Sequence, residues 1–119
     1  MAELPSKFRL ARLISKQSDY KVQVGSVIYR GSTPISCGFN YLRSHPVYAK
    51  EYWSIHSEVS SILRANTDLT GCSIYVYREF KSGKPANSYP CEDCFKLIVA
   101  SGIKKIYFTT DYGYDVLKL

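Results

Sequence analysis

Cys91 and Cys94 stand three positions apart in the stretch "SYPCEDCF", directly ahead of an apolar pattern that reads as a helix. At that spacing both thiols project from one first turn. A second helical pattern, in "SIHSEVSSIL", places His56 and Glu58 at its own start. One imidazole and two thiolates make a three-ligand zinc set. If they share a metal, the chain must fold so that two helix N-termini meet, a tighter constraint than any single hydrophobic pattern imposes. The C-x-x-C pair also admits a redox dithiol, but that reading leaves His56 and Glu58 without a task. A disulfide framework is disfavoured, because the four cysteines occur without a secretory signal.

Three protein ligands leave the fourth position of a tetrahedral zinc to water, which separates a catalytic site from a closed structural one. Zinc lowers the pKa of that water to about 7, so hydroxide is available at neutral pH. Glu58, two residues from a ligand, can lean over the metal without binding it and shuttle protons between water and a leaving group. That is the equipment needed to replace an amino group on an aromatic ring.

The rest of the chain reads as a scaffold for these two turns. Residues 4–18 show a helical pattern, with apolar residues at 10, 11, 13 and 14. "KVQVGSVIYR" and "PISCGFNYL" read as a hairpin turning around Gly31, Ser32 and Thr33, with Pro34 marking an edge strand. Residues 42–53 read as a loop. A second helix is expected over 55–65, with Ile55, Val59, Ile62 and Leu63 on one face. "CSIYVYRE" is a third strand, "FKSGKPANSYP" a long polar loop, and residues 91–101 a third helix stopped by Gly102. "IKKIYFTT" is a fourth strand. The late strand–helix–strand alternation implies parallel pairing there, hence an α/β domain with a mixed sheet flanked by helices.

At 119 residues the chain has room for one domain. The longest strictly apolar run is Leu97–Ala100, far short of a membrane span. The basic, mildly amphipathic N-terminus is a first helix rather than a transit peptide, since no small-residue cleavage signal follows. The protein is read as soluble and cytoplasmic. Its net charge of +6 is scattered, as on a solvated surface, yet favours an anionic ligand, nucleotide or polynucleotide. Arg43, Arg78, Lys81 or Lys84 could meet a phosphate. Among the eleven tyrosines, Tyr75, Tyr77 and Tyr107 alternate within strands, whereas Tyr89 and Tyr112 are placed to stack on a base. Cys37 and Cys72 read as small buried hydrophobes.

"HSE" followed by "PCEDC" fits H-x-E…P-C-x-x-C, the signature of zinc nucleobase deaminases. The sequence resembles the cytidine/deoxycytidylate deaminase superfamily over nearly its whole length, 1–119, and most of all its CMP/dCMP-type members. "VGSVIYRGSTPISCGFN" is similar to the family's first hairpin and "GIKKIYFTTDYG" to the strand after the second metal helix. The resemblance implies a cytidine-deaminase-like three-layer sandwich with a mixed sheet of four to five strands. It implies one zinc per chain on His56, Cys91 and Cys94, and Glu58 as proton shuttle. Asn40 matches the asparagine that hydrogen-bonds the nucleoside, and Ser57, where many members have alanine, turns its backbone N–H to the base. Tyr41 stands where triphosphate-regulated members have glycine. With His45 the only other histidine, a second structural zinc is not expected, and the chain ends before the fifth strand of many members.

The expected function is hydrolytic deamination of a cytosine base in a free nucleotide, of the dCMP-to-dUMP type. Two alternatives stay open. One is a deaminase acting on cytosine or adenine within single-stranded DNA or RNA. The other is a non-catalytic zinc-stabilised binding module, which needs a fourth ligand from Cys37, Cys72 or His45 and gives Glu58 no task. A homo-oligomer is expected, because the strand "IKKIYF" would be an open edge guarded only by Lys104 and Lys105.

Overall fold

Gly31 and Ser32 turn the chain between β1 (Val24–Arg30) and β2 (Thr33–Phe39), which pair antiparallel. The structure is a computed structural model and describes residues 4–44 and 52–119. β2 is an edge strand among the described residues, as Pro34 implied. On its inner side β1 pairs antiparallel with β5 (Ser73–Arg78), and β5 pairs parallel with β6 (Lys105–Thr110). α3 (Glu92–Ala100) lies between β5 and β6 in sequence and makes the crossover that parallel pairing requires.

The last six residues before Leu119 correct the expectation of an early stop. β7 (Gly113–Lys118) returns antiparallel along β6, so the sheet has five strands in the order β2-β1-β5-β6-β7. Leu117 packs on the core beneath one face, and Tyr114 lies 5.8 Å from the Phe8 ring on the other. β6 is therefore not an edge, and the original ground for expecting an oligomer falls away. A second correction concerns residues 42–53, expected as a loop. β3 (Tyr41–Ser44) and β4 (Tyr52–Ile55) form a two-stranded antiparallel ladder of their own. His45 lies outside the described residues, as does the side chain of Arg43.

Strand alternation separates the two faces of the five-stranded sheet. Ile28, Ile74, Val76, Ile106 and Phe108 point one way and pack with Leu69, Ile98 and Ile103 under the helix layer. Full burial of each isoleucine contributes about 1.5–3 kcal/mol. Val27, Tyr29, Tyr75 and Tyr77 point the other way, against Phe8 and Ala11 of α1 (Phe8–Ser15), shorter than the span expected for it. Leu13, expected in the apolar stripe, is exposed.

α2 (Ser57–Ala65) departs most from its expected pattern. It begins two residues later, Ile55 belongs to β4, and Leu63 is exposed. Its buried face is Ser57, Glu58, Ser60 and Ser61. The reason lies opposite, at Gly38 of β2: a Cβ there would sit 2.5 Å from Ser61 N and 2.8 Å from Ser57 O. Helix and strand approach so closely that only small side chains fit between them. Strand serines bridge the narrow gap, Ser26 Oγ donating to Ser57 O at 2.8 Å and Ser36 Oγ to Ser61 O at 2.6 Å. Helices thus cover both faces of the sheet in three layers, and α2 and α3 bring their N-termini together at one end.

Candidate active site

His56 is the N-cap of α2 and Cys91 the N-cap of α3, both in extended backbone just before their helices begin. Cys94 follows in the first turn of α3. The two caps meet: His56 Nδ1 lies 3.1 Å from Cys94 Sγ and 3.4 Å from Cys91 Sγ. All three donor atoms fall within 4.8 Å of one another. They form the one cluster of three or more metal-capable side chains among the described residues. Cys72 is buried in the core and Cys37 packs toward the α1 side, so neither joins it.

This donor set fits zinc in kind and in spacing. Imidazole and thiolates are its preferred ligands, with Zn–N of about 2.0–2.1 Å and Zn–S of about 2.3 Å, and the three atoms are close enough to share one ion. Burial, followed by the Glu58 carboxylate and the neighbouring Cys91, pushes the Cys94 thiol well above the usual thiol range. A helix N-terminus by itself lowers a thiol's pKa; here desolvation wins instead. A bare thiolate is disfavoured in that setting, and a divalent cation among the donors reverses the balance.

Glu58 is buried beside the cluster, 5% exposed, and its Oε1 accepts a 2.6 Å hydrogen bond from Ser57 Oγ. That bond fixes one carboxylate oxygen. A cavity of about 430 Å³ opens in front of these groups and is lined by His56, Ser57, Glu58 and Cys91, with Asn40 and Tyr89 on its walls. Asn40, at the end of β2, holds the wall together: its Oδ1 accepts from Val24 N at 2.8 Å and its Nδ2 donates to Val22 O at 2.6 Å. An amide side chain can make up to four hydrogen bonds, so capacity remains toward the cavity.

The approach to Cys91 is fixed by a buried network. Ser88 Oγ donates to Val76 O at 2.9 Å and accepts from Thr109 N at 2.9 Å, while Thr109 Oγ1 donates to Ala86 O at 2.7 Å. These bonds fasten the loop before α3 to the ends of β5 and β6. Tyr89, half exposed, sets its ring edge-on to Phe108 at 5.1 Å. Tyr112, the other tyrosine considered for stacking, is 90% exposed and does not line the cavity.

Several lining residues were not singled out from sequence: Tyr20 and Val22 ahead of β1, Val24 at its start, and Asn87 and Ser88 before α3. They carry no local motif. Asn87, between Ala86 and Ser88 in a polar loop, was the one with a readable signal, since short amides favour such turns. Of the four cations considered for a phosphate, Arg78 lines this cavity, and Lys81 lines a neighbouring one.

A mixed sheet in three layers thus holds a histidine and two cysteines together at two helix N-termini beside a buried glutamate. Residues 3–110 match the family model of the cytidine and deoxycytidylate deaminase zinc-binding region, and the chain belongs to that family. It is 33% identical to an uncharacterised deaminase of the luxG 3′ region in Aliivibrio fischeri, over 84% of this chain and 67% of that protein. It is 28% identical to human deoxycytidylate deaminase, over 95% of this chain and 68% of that one. The crystal structure of the cyanophage S-TIM5 dCMP deaminase in complex with dCMP and dUMP superposes with a TM-score of 0.64 at 19% identity, over 87% and 77% of the two chains. Among the described residues no helix is long and apolar enough to cross a membrane.

Proposed function

We propose that this protein converts dCMP to dUMP, with one zinc per chain held by His56 Nδ1, Cys91 Sγ and Cys94 Sγ. The observation that carries the reading is the meeting of those three donors, within 4.8 Å, at the wall of a cavity that Glu58 also lines. When bound there, zinc acidifies a water so that it can attack at neutral pH. Glu58 takes one proton from the attacking water and passes it to the ring nitrogen, then takes the proton left on the added oxygen and passes it to the departing amine. The water oxygen bonds to the ring carbon bearing the amino group, the carbon–nitrogen bond breaks, and ammonia leaves. Ser57 Oγ keeps one Glu58 oxygen in place while the other moves protons.

The remaining residues orient the base. Asn40 hydrogen-bonds the nucleoside, the Ser57 backbone N–H faces the ring, and Tyr89 packs against it. Arg78, at the cavity wall, meets the phosphate. A free nucleotide is favoured because the cavity is a discrete pocket, and because the cyanophage relative was crystallised with dCMP and dUMP. Leu63 and Val99 project to solvent from α2 and α3, which pack on each other, and this supports a homo-oligomer.

Ammonia release is the test, with dCMP, deoxycytidine and an oligonucleotide supplied at equal concentrations of target base. The reading requires dCMP to react fastest. Preference for the oligonucleotide, with activity falling steeply as salt rises, would transfer the function to single-stranded nucleic acid.

A further inference from the structure

A second cavity of about 250 Å³ adjoins the first and shares Val22 and Arg78 with it. Its walls bring together Lys16, Lys21, Arg78 and Lys81, with Glu79 the one carboxylate among them. That carboxylate is already engaged: Glu79 Oε1 lies 2.5 Å from Lys16 Nζ and 3.1 Å from Arg12 Nε. Lys21, Arg78 and Lys81 make no ion pair among the described residues. Arg78 donates from Nη1 to Asn87 O at 3.2 Å, which leaves most of its donors for a ligand. Three uncompensated cations around one small hollow raise the local potential for anions.

We propose that this cavity is a second phosphate subsite, through which the enzyme takes a cytosine nucleoside diphosphate as well as the monophosphate. The inference rests on the deaminase reading given above. Arg78 stands on the wall common to both cavities, where a planar guanidinium can bridge the sugar-linked phosphate and the next one. Lys21 and Lys81 then face the terminal phosphate as point charges. The hollow is smaller than the roughly 300–1,000 Å³ occupied by drug-sized ligands, which suits a terminal phosphate better than a further nucleotide.

The test compares kcat/KM for dCMP, dCDP and an oligonucleotide containing one deoxycytidine, at fixed ionic strength, in the wild type and in the double variant Lys21→Ala/Lys81→Ala. Calorimetric titration with inorganic pyrophosphate gives a readout independent of turnover. The expected result is a preference for dCDP over dCMP of about fivefold, in keeping with partly exposed charge pairs. In the double variant that ratio falls to near one and pyrophosphate binding weakens in parallel. A ratio of one or below in the wild type, a ratio unchanged in the variant, or preference for the oligonucleotide overturns the subsite. If dCMP is deaminated in those cases, the deaminase reading stands and the subsite alone is wrong. If no cytosine nucleotide reacts, both fall together.

Discussion

The two faces of the central sheet are built from different materials. Against α1 the sheet presents rings: Tyr75 stacks on Tyr107 at 4.2 Å, and Phe8 meets Tyr75 edge-on at 5.1 Å. Against α2 and α3 it presents isoleucine, valine, the single ring of Phe108 and, at Gly38, bare backbone. The ring-lined face anchors a helix that carries none of the proposed chemistry. The other face brings the donor atoms at two helix starts within 4.8 Å of one another, and close approach rather than large buried area sets their position. Sites of this kind depend on what is absent from a strand as much as on what is present.

Four substitutions sharpen that contrast, in order of their expected effect on turnover. Glu58→Gln should keep the fold and bound zinc yet lose about 10²–10⁴-fold in kcat. Steady-state kinetics together with metal analysis checks this, and near-normal turnover would remove Glu58 as the shuttle. Cys91→Ser should lower zinc content and the thermal midpoint together, because zinc held by the proposed ligands would tie α2 to α3. Unchanged melting with full zinc would contradict the ligand assignment. Gly38→Ala should destabilise by about 1–3 kcal/mol, because the new methyl meets the α2 backbone, and turnover should fall with it as His56 and Glu58 shift. Phe8→Ala, on the opposite face, should cost more stability, about 3–5 kcal/mol, but leave kcat unchanged well below its melting point. Denaturant unfolding and kinetics on these last two variants would show whether the faces are as separate as the packing implies.

Metal uptake offers a smaller effect with a definite sign. Burial raises the Cys94 thiol, so at neutral pH the metal-free protein holds a proton there that zinc must displace. Zinc affinity should therefore rise with pH from the acid side through neutrality. Titration calorimetry in buffers of different ionisation enthalpy should register proton release; a pH-independent affinity would contradict it.

The donor set was legible in sequence because its chemistry is local: two cysteines on one turn, and a histidine two residues from a glutamate. The hairpin with its proline-marked edge and the third helix were legible for the same reason. What escaped depends on contacts distant in sequence. Leu117 and Tyr114 have a place only once β6 lies beside them, and "GYDVLK" alternates too briefly, with charge, to announce a strand. The serine face of α2 defeats an apolar-stripe reading, since Gly38 imposes it from another element. Val22 and Tyr20 reach the cavity through a segment whose backbone the Asn40 side chain holds, which no spacing reveals.

The most direct measurement of the central claim is mass spectrometry of the product formed from dCMP by the zinc-loaded protein in ¹⁸O-labelled water. Hydrolytic deamination predicts dUMP carrying one ¹⁸O at the carbon that lost its amino group, with one ammonia released per dUMP. Absence of dUMP, or dUMP formed without the label, would contradict it.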